Sequence, residues 1–438
     1  MNNILIRGGR IFDPGNQLDL YGDLLMVNGF VSEISQHIEA KNAQIIPAEG
    51  CIVTAGFIDL HCHLREPGFE QKGTIASETK AALESGFTTI CSMPNTDPTP
   101  DNASALQGLK EKILSDSHIR VLPVAATTQG RAGLILSEIS ELVAAGCVAF
   151  SDDGNPIESG LIMRRALETA GSLGIPIAEH SDDPSLSNNG VMNEGYISER
   201  LGLIGQPSAA ETSAVARNIE ICALTKAPLH LMHLTSARSL ELVADAKAAG
   251  LPITCEVTPS HLYLTEDAVG GDNLVNEPAY DTAAKINPPL RSEADRQALL
   301  AGVNAGIIDA IATDHAPHAS EEKLQEFSKA PFGISCLETA LATITTLTNR
   351  GELDFEAALK ALTAGPAAAF RLQEGLGKLT PNLSKDVTIF DANEQWIVDA
   401  HQFTSMGKNS PLHGYELTGR VKKVIYDGIL SWSRESTT

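Results

Sequence analysis

Between residues 57 and 315, short apolar runs alternate with longer stretches of helical periodicity, and this rhythm constrains the fold more than any other feature. The runs are GFIDLHCHL, GFTTICSMPN, IRVLPVAATT, GCVAFSDDG, GIPIAEHSDD, APLHLMHLTS, LPITCEVTPSHL and GIIDAIATDHAP, eight in all. Between them lie segments rich in Ala, Leu, Glu and Lys, at 74–85, 134–145, 157–172, 208–225 and 238–249. Several stop at a Gly just before the next run, as in ESGF, AAGC, SLGI and AAGLP, a helix C-terminal signal. Strands alternating with helices imply an α/β protein with a parallel sheet, and eight such units can close into a (β/α)8 TIM-type barrel. The other arrangement, an open doubly wound sheet, lacks the G-x-G-x-x-G that would follow its first strand.

The flanks read differently. Residues 1–54 hold NILIRGGRIFD, DLLMVNGFVSEIS and AQIIPAEGCIVTA, and residues 371–438 hold KDVTIFDAN, WIVDA and YELTGRVKKVIYDGILSW. These are short alternating strands broken by Gly, Asn and Pro. They are expected to be the two halves of one small β-sandwich domain, joined because the barrel of residues 55–370 returns the chain to its start. With 32 Lys and Arg against 55 Asp and Glu, the net charge of −23 argues against nucleic acid as a partner. It leaves room for an anionic substrate held by a local cation. The seven cysteines form no C-x-x-C pair and lie mostly in apolar runs, so they read as reduced, buried thiols of a cytoplasmic protein. The start MNNILIRGGRIFDPG lacks a signal-peptide pattern. No apolar run reaches the roughly 18 to 20 residues of a membrane span, so no membrane partner is expected.

Polar residues collect at the C-terminal ends of the expected strands, where barrel active sites assemble. His61, His63 and Arg65 end the first strand and Asn95 the second. Asp152 and Asp153 end the fourth, His180 the fifth, His233 the sixth, and Asp314 and His315 the eighth, with His318 close behind. Residues i and i+2 of a strand share a face, so His61 and His63 project together and Cys62 points away. Such imidazoles and carboxylates suit a divalent metal such as zinc. His230 and His233, three apart, are expected on opposite faces, with His233 a ligand at the rim and His230 hydrogen-bonded behind the barrel wall. In SDDG one Asp can cap the following turn, a role given to Asp152. His261 is a weaker metal candidate, His315 should point away from Asp314, and His37, His118, His401 and His413 fall outside the mouth. His61, His63, Asp153, His180, His233 and Asp314 together exceed what one open catalytic zinc takes, and fit two ions with room for water. A carboxylate and a hydroxide shared by two ions are expected, the water pKa falling from about 15.7 towards neutrality. An adjacent Asp can then carry the proton to a leaving nitrogen.

With these residues in view, the chain resembles the amidohydrolase superfamily and, within it, the class I dihydroorotases of bacteria. The resemblance rests on DLHCHLREPG, SMPNTDP, FSDDG, AEHSDD, LHLMHLTSA, CEVTPSHL, KINPPLR and ATDHAPH, in that order along essentially the whole chain. It implies that His61, His63 and Asp314 hold one zinc, that His180 and His233 hold a second, and that Asp153 bridges them. Many relatives use a carbamylated lysine as that bridge, but VAFSDDG offers none. It further implies Asp314 as catalytic base and acid. Arg65, Asn95 and His318 would bind the substrate carboxylate, Asn287 the ring, and Phe332 and Gly333 would join them in binding substrate. The implied reaction interconverts (S)-dihydroorotate and water with N-carbamoyl-L-aspartate in pyrimidine synthesis. A homodimer is expected, and docking on aspartate carbamoyltransferase is compatible with the sequence.

Arg65 lies two residues beyond His63, on the same face and higher in the mouth, and its planar fork can hold a carboxylate. That favours dihydroorotate over the rings of hydantoinases, dihydropyrimidinases and allantoinases, which lack its carboxylate. A non-catalytic partner of aspartate carbamoyltransferase should have lost ligands, and this chain keeps the whole set. The charged stretch 318–335 is expected to serve as a lid.

Overall fold

The computed structural model describes residues 3–271 and 279–434. Its strands, in chain order, are β1 (Ile4–Asp13), β2 (Leu18–Val27), β3 (Phe30–Ser35), β4 (Gln44–Pro47), β5 (Ile52–Ala55), β6 (Phe57–Cys62), β7 (Phe87–Ser92), β8 (Arg120–Ala126), β9 (Ala149–Ser151) and β10 (Ile177–Glu179). There follow β11 (Met192–Asn193), β12 (Gly205–Gln206), β13 (Leu229–Leu231), β14 (Ile253–Val257), β15 (Ala310–Ile311), β16 (Val387–Ile397), β17 (Glu416–Tyr426) and β18 (Ile429–Ser433).

Eight of these form one parallel sheet in the order β15-β14-β13-β10-β9-β8-β7-β6, and they are the eight expected runs. The sheet closes where the end of β6 meets the chain beyond β15: Cys62 bridges His315, and His63 N–H donates to His315 O at 3.0 Å. Ile58, Leu60, Cys91, Val124, Ala149, Ala178, Met232 and Ala310 pack together with Phe370 in one cluster, and small residues there let a narrow barrel fill without voids. Phe57, Phe87, Ile90, Phe150, Ile177 and Cys255 belong to the larger cluster shared with the surrounding helices. Burying each large apolar side chain contributes about 1.5 to 3 kcal/mol, which makes this double shell the main source of stability.

The helices follow their sequence signals. Thr74 caps Ile75–Glu84 by accepting from Ser77 N–H, and Gly146, at φ 97°, ends Ile139–Ala145. That second helix is shorter than the expected 134–145. Residues Leu134–Leu136 are used otherwise, because Leu136 bridges Thr128 and Gln129 N–H donates to Ile135 O at 2.8 Å. Cross-chain hydrogen bonding there outweighs helical propensity.

The terminal segments meet in a second eight-stranded sheet, β18-β17-β16-β5-β1-β2-β3, with β4 also on β1. β1 gives Ile4–Arg7 to β4 and Arg10–Ile11 to β5, so the sheet forks. β5 pairs antiparallel with β16, and this joins the two ends of the chain. Ile6, Leu24, Val53, Val387 and Ile425 form its own core. Phe57 at the foot of the barrel packs at a tilt against Phe390 of β16, centroids 6.0 Å apart, coupling the two sheets.

Candidate metal centre and active site

His61 and His63 leave the end of β6 side by side, ring centroids 5.3 Å apart, while Cys62 packs into the outer core. Their Nε2 atoms face two carboxylates. His61 Nε2 lies 3.5 Å from Asp153 Oδ1 and 3.4 Å from Asp314 Oδ1. His63 Nε2 lies 3.4 Å from Asp153 Oδ2 and 3.0 Å from Asp314 Oδ1. His180 Nδ1 and His233 Nε2 are 2.8 Å apart, and each is 3.8 Å from Asp153 Oδ1. All six side chains are buried.

These donors fit a divalent cation. His61 Nε2, which faces both carboxylates, is a buried atom without a hydrogen-bond partner. His61, His63 and Asp314 form one group of mutually close donors, and His61, Asp153 and His233 a second. Ligands about 2.1 Å from one tetrahedral ion lie about 3.4 Å from each other, the spacing found here. Burial opposes ionisation of Asp153, yet His61, His233 and His63 around it hold its carboxyl well below the usual range. Burial, followed by His233, pushes His180 down to about 4, leaving a neutral imidazole at neutral pH.

Local backbone geometry aims these groups. β13 stops at Leu231 and His233 adopts φ 32°, while Asp314 sits at φ 48° and Arg65 at φ 65°. Left-handed backbone at bulky residues costs energy and collects at functional sites. It also corrects the expectation for His230. Strand alternation does not extend to His233, and His230 does not lie behind the wall. Its ring packs on Phe370 of the barrel interior, its Nε2 donates to Glu256 Oε2 at 3.0 Å, and its Nδ1 meets Thr254 Oγ1 at 2.8 Å.

Glu256, on β14, is the functional residue that sequence reasoning missed. Its other oxygen accepts from His61 Nδ1 at 2.8 Å. That bond fixes the His61 tautomer and turns the Nε2 lone pair towards the two aspartates. Burial opposes its charge, but hydrogen bonds from His230 and His61 keep the carboxyl far below its ordinary pKa. The signal was a lone carboxylate inside the apolar strand ITCEV. Replacing it, as Glu256→Gln, should weaken metal binding about 10- to 100-fold in a chelator competition. Unchanged affinity would show that the His61 orientation is set elsewhere.

Asp152 does not cap its own turn. Its carboxylate reaches back to β8's end, accepting from Thr128 N–H at 3.0 Å and from the Thr128 hydroxyl. Burial pushes it up to about 6. His315 points away from the cluster, its Nε2 on Glu78 Oε2 at 2.7 Å. Both ring nitrogens of His261 are occupied, by Thr258 Oγ1 and Pro288 O.

A cavity of about 330 Å³ opens over the cluster, and His63, Asp153, His180 and Asp314 line it together with Arg65, Asn95, Asn287, Phe332 and Gly333. Arg65 Nε donates to Pro317 O at 3.0 Å, and one of its terminal nitrogens lies 3.4 Å from His318 Nε2. His63 Nδ1 donates to Asn95 Oδ1 at 2.9 Å, which leaves the Asn95 amide protons for a ligand. Asn287 Nδ2 lies 3.4 Å from His180 Nε2. His318 is buried beside Arg65: its Nε2 donates to Phe332 O at 2.8 Å, and burial, then Arg65, push it down to about 3. Gly333 has φ 141°, and a Cβ there would meet Ala316 O at 2.7 Å and His318 Nε2 at 2.9 Å. The approach of these two loops therefore requires glycine.

A parallel eight-stranded barrel thus carries buried histidines and aspartates that converge at its C-terminal mouth. In overall fold the chain is similar to the L-hydantoinase of Arthrobacter aurescens, with a TM-score of 0.87 at 23% identity over 98% of this chain and 96% of that one. The dihydropyrimidinase of Brevibacillus agri follows with a TM-score of 0.84 at 20% identity, over 98% and 94%. A family model described as Dihydro-orotase-like matches residues 50–239. The chain is 42% identical to the dihydroorotase of Geobacter metallireducens, over 99% of its own length and 100% of that protein. It is also 42% identical to the dihydroorotase of Solibacter usitatus, over 99% of each. The chain belongs to the dihydroorotase family, hydrolases that act on a cyclic amide. Among the described residues no helix is long and apolar enough to cross a membrane.

Proposed function

We propose that this chain is a zinc-dependent dihydroorotase that interconverts (S)-dihydroorotate and water with N-carbamoyl-L-aspartate, the ring-closing step of pyrimidine synthesis. The observation that carries this reading is that Arg65 shares one cavity with the histidine and aspartate cluster. A cation beside the donors suits a ring that carries its own carboxylate, whereas neutral rings would leave that half-buried charge without a partner.

His61, His63 and Asp314 would hold one zinc and His180 and His233 the other, with Asp153 between them. When bound, zinc polarises a carbonyl and lowers the pKa of water from about 15.7 towards neutrality. The rest falls to the chain. Arg65 pairs with the ring carboxylate, helped by the Asn95 amide and by His318 beside it. Asn287 meets the ring, and Phe332 and Gly333 form the wall that excludes water. Asp314 accepts the proton of the attacking water on its carboxylate and returns it to the ring nitrogen as the C–N bond breaks.

Ring opening turns a monoanion into a dianion and releases one net proton. The equilibrium should therefore shift towards N-carbamoyl-L-aspartate by about tenfold per pH unit above neutrality, and towards dihydroorotate below it. Chromatography of equilibrated mixtures at several pH values checks this. The identity of the substrate is tested by turnover of dihydroorotate against dihydrouracil, hydantoin and allantoin, on protein of measured zinc content. Activity confined to dihydroorotate supports the assignment, and turnover of the neutral rings instead would overturn it.

A further inference from the structure

Two lysines beside the cavity make no ion pair among the described residues, yet both are buried, Lys285 at 2% exposure and Lys323 at 8%. Their ammonium groups sit among backbone carbonyls. Lys285 Nζ donates to Phe327 O at 2.7 Å, Ser328 O at 3.2 Å and Ala330 O at 2.7 Å. Lys323 Nζ donates to Thr282 O at 2.9 Å, Lys285 O at 3.4 Å and Pro331 O at 2.7 Å. The pattern is reciprocal. Lys285 binds the backbone of 327–330, and Lys323 binds Thr282 and Lys285 across the gap and Pro331 within its own segment, so that 282–287 and 323–333 are sewn together in both directions.

The stitches end on residues that line the active-site cavity. Gly333 N–H donates to Lys285 O at 2.8 Å, Lys285 Nζ lies 4.5 Å above the Phe332 ring, and Asn287 is two residues from Lys285. Past the short helix Ser320–Lys323, the chain runs to Ile334 without a further helix or strand. Its backbone carbonyls therefore need other partners, and a buried ammonium supplies three donors at once.

We infer that Lys285 and Lys323 are positioning residues that clamp segment 323–333 into a fixed wall of the substrate site. This deepens the dihydroorotase reading and rests on it for the substrate. It also revises the expected lid: five hydrogen bonds from the two ammonium groups tie this stretch to 282–287 and a sixth braces it internally at Pro331, so substrate enters past a standing wall.

The test uses full-length, metal-loaded Lys285→Met and Lys323→Met, each of which removes the donors and keeps the stem. Lys329→Met, in the same segment but 67% exposed, is the control. Each clamp variant should raise KM for dihydroorotate about tenfold or more, with kcat within about threefold and zinc content unchanged. Amide exchange across 324–334, followed by mass spectrometry without substrate, should accelerate at least about tenfold, and the control should match the parent. Parent-like exchange in both clamp variants would overturn the clamp. Faster exchange with unchanged KM, or a loss confined to kcat, would overturn its positioning role. If the parent protein does not turn over dihydroorotate, the functional reading fails, while the exchange data still test the clamp. Should one variant not fold, the other supports or overturns the clamp by the same two measurements.

Discussion

Asp153→Asn is expected to lose bound metal and to reduce kcat/KM for dihydroorotate by about a thousandfold or more, whereas Asp152→Asn should keep its metal. Among the described residues Asp153 is the one carboxylate within 4 Å of all four cluster histidines, with Oδ1 towards His61, His180 and His233 and Oδ2 towards His63. Two oxygens facing different imidazoles suit a bridge between two ions. An amide replaces one of them with an NH2 that has no lone pair to offer and removes the negative charge. Asp152 faces the other way. An Asn there still accepts from Thr128 N–H and forfeits one bond, at about 1 to 3 kcal/mol of stability. Elemental analysis with a melting curve separates the two. Metal loss in Asp152→Asn with retention in Asp153→Asn would reverse their roles.

Arg65→Ala should lower kcat/KM for dihydroorotate about 10²- to 10³-fold, the cost of leaving a buried carboxylate without its charged partner. Zinc content should not change, because Arg65 donates to the Pro317 carbonyl and approaches no metal donor within ion-pair distance. Turnover of neutral rings, if any, should be no worse than in the parent. Arg65→Lys should recover only part of the loss, since an ammonium cannot form the planar two-point contact. Parallel kinetics on dihydroorotate and dihydrouracil decide the matter. Equal losses on both would show that Arg65 shapes the site and does not read the carboxylate.

Much of this molecule was legible from its residues alone. Strand alternation and helix caps depend on neighbours a few positions away, so the eight barrel strands and their order could be read directly. The same holds for the pairing of His61 with His63, because a period of two is local geometry. For the same reason, the collection of aspartates and histidines at strand ends pointed to one mouth.

What lay beyond the sequence was every relation set by the closing of the barrel. His61 and Glu256 are 195 residues apart and meet across the barrel. His230 joins them by facing inward between Leu229 and Leu231 of β13, and His233 reaches the mouth as well because it leaves strand geometry, which no periodicity encodes. Asp152 was claimed by Thr128 of the loop after β8, and Leu134–Leu136 by pairing with Thr128 and Gln129 of the same loop, each a case of a tertiary partner outweighing a local propensity. The two lysine clamps are of the same kind. A charged side chain in a sequence reads as surface, and only the tertiary structure, by supplying carbonyls to its ammonium group, makes burial the lower-energy choice.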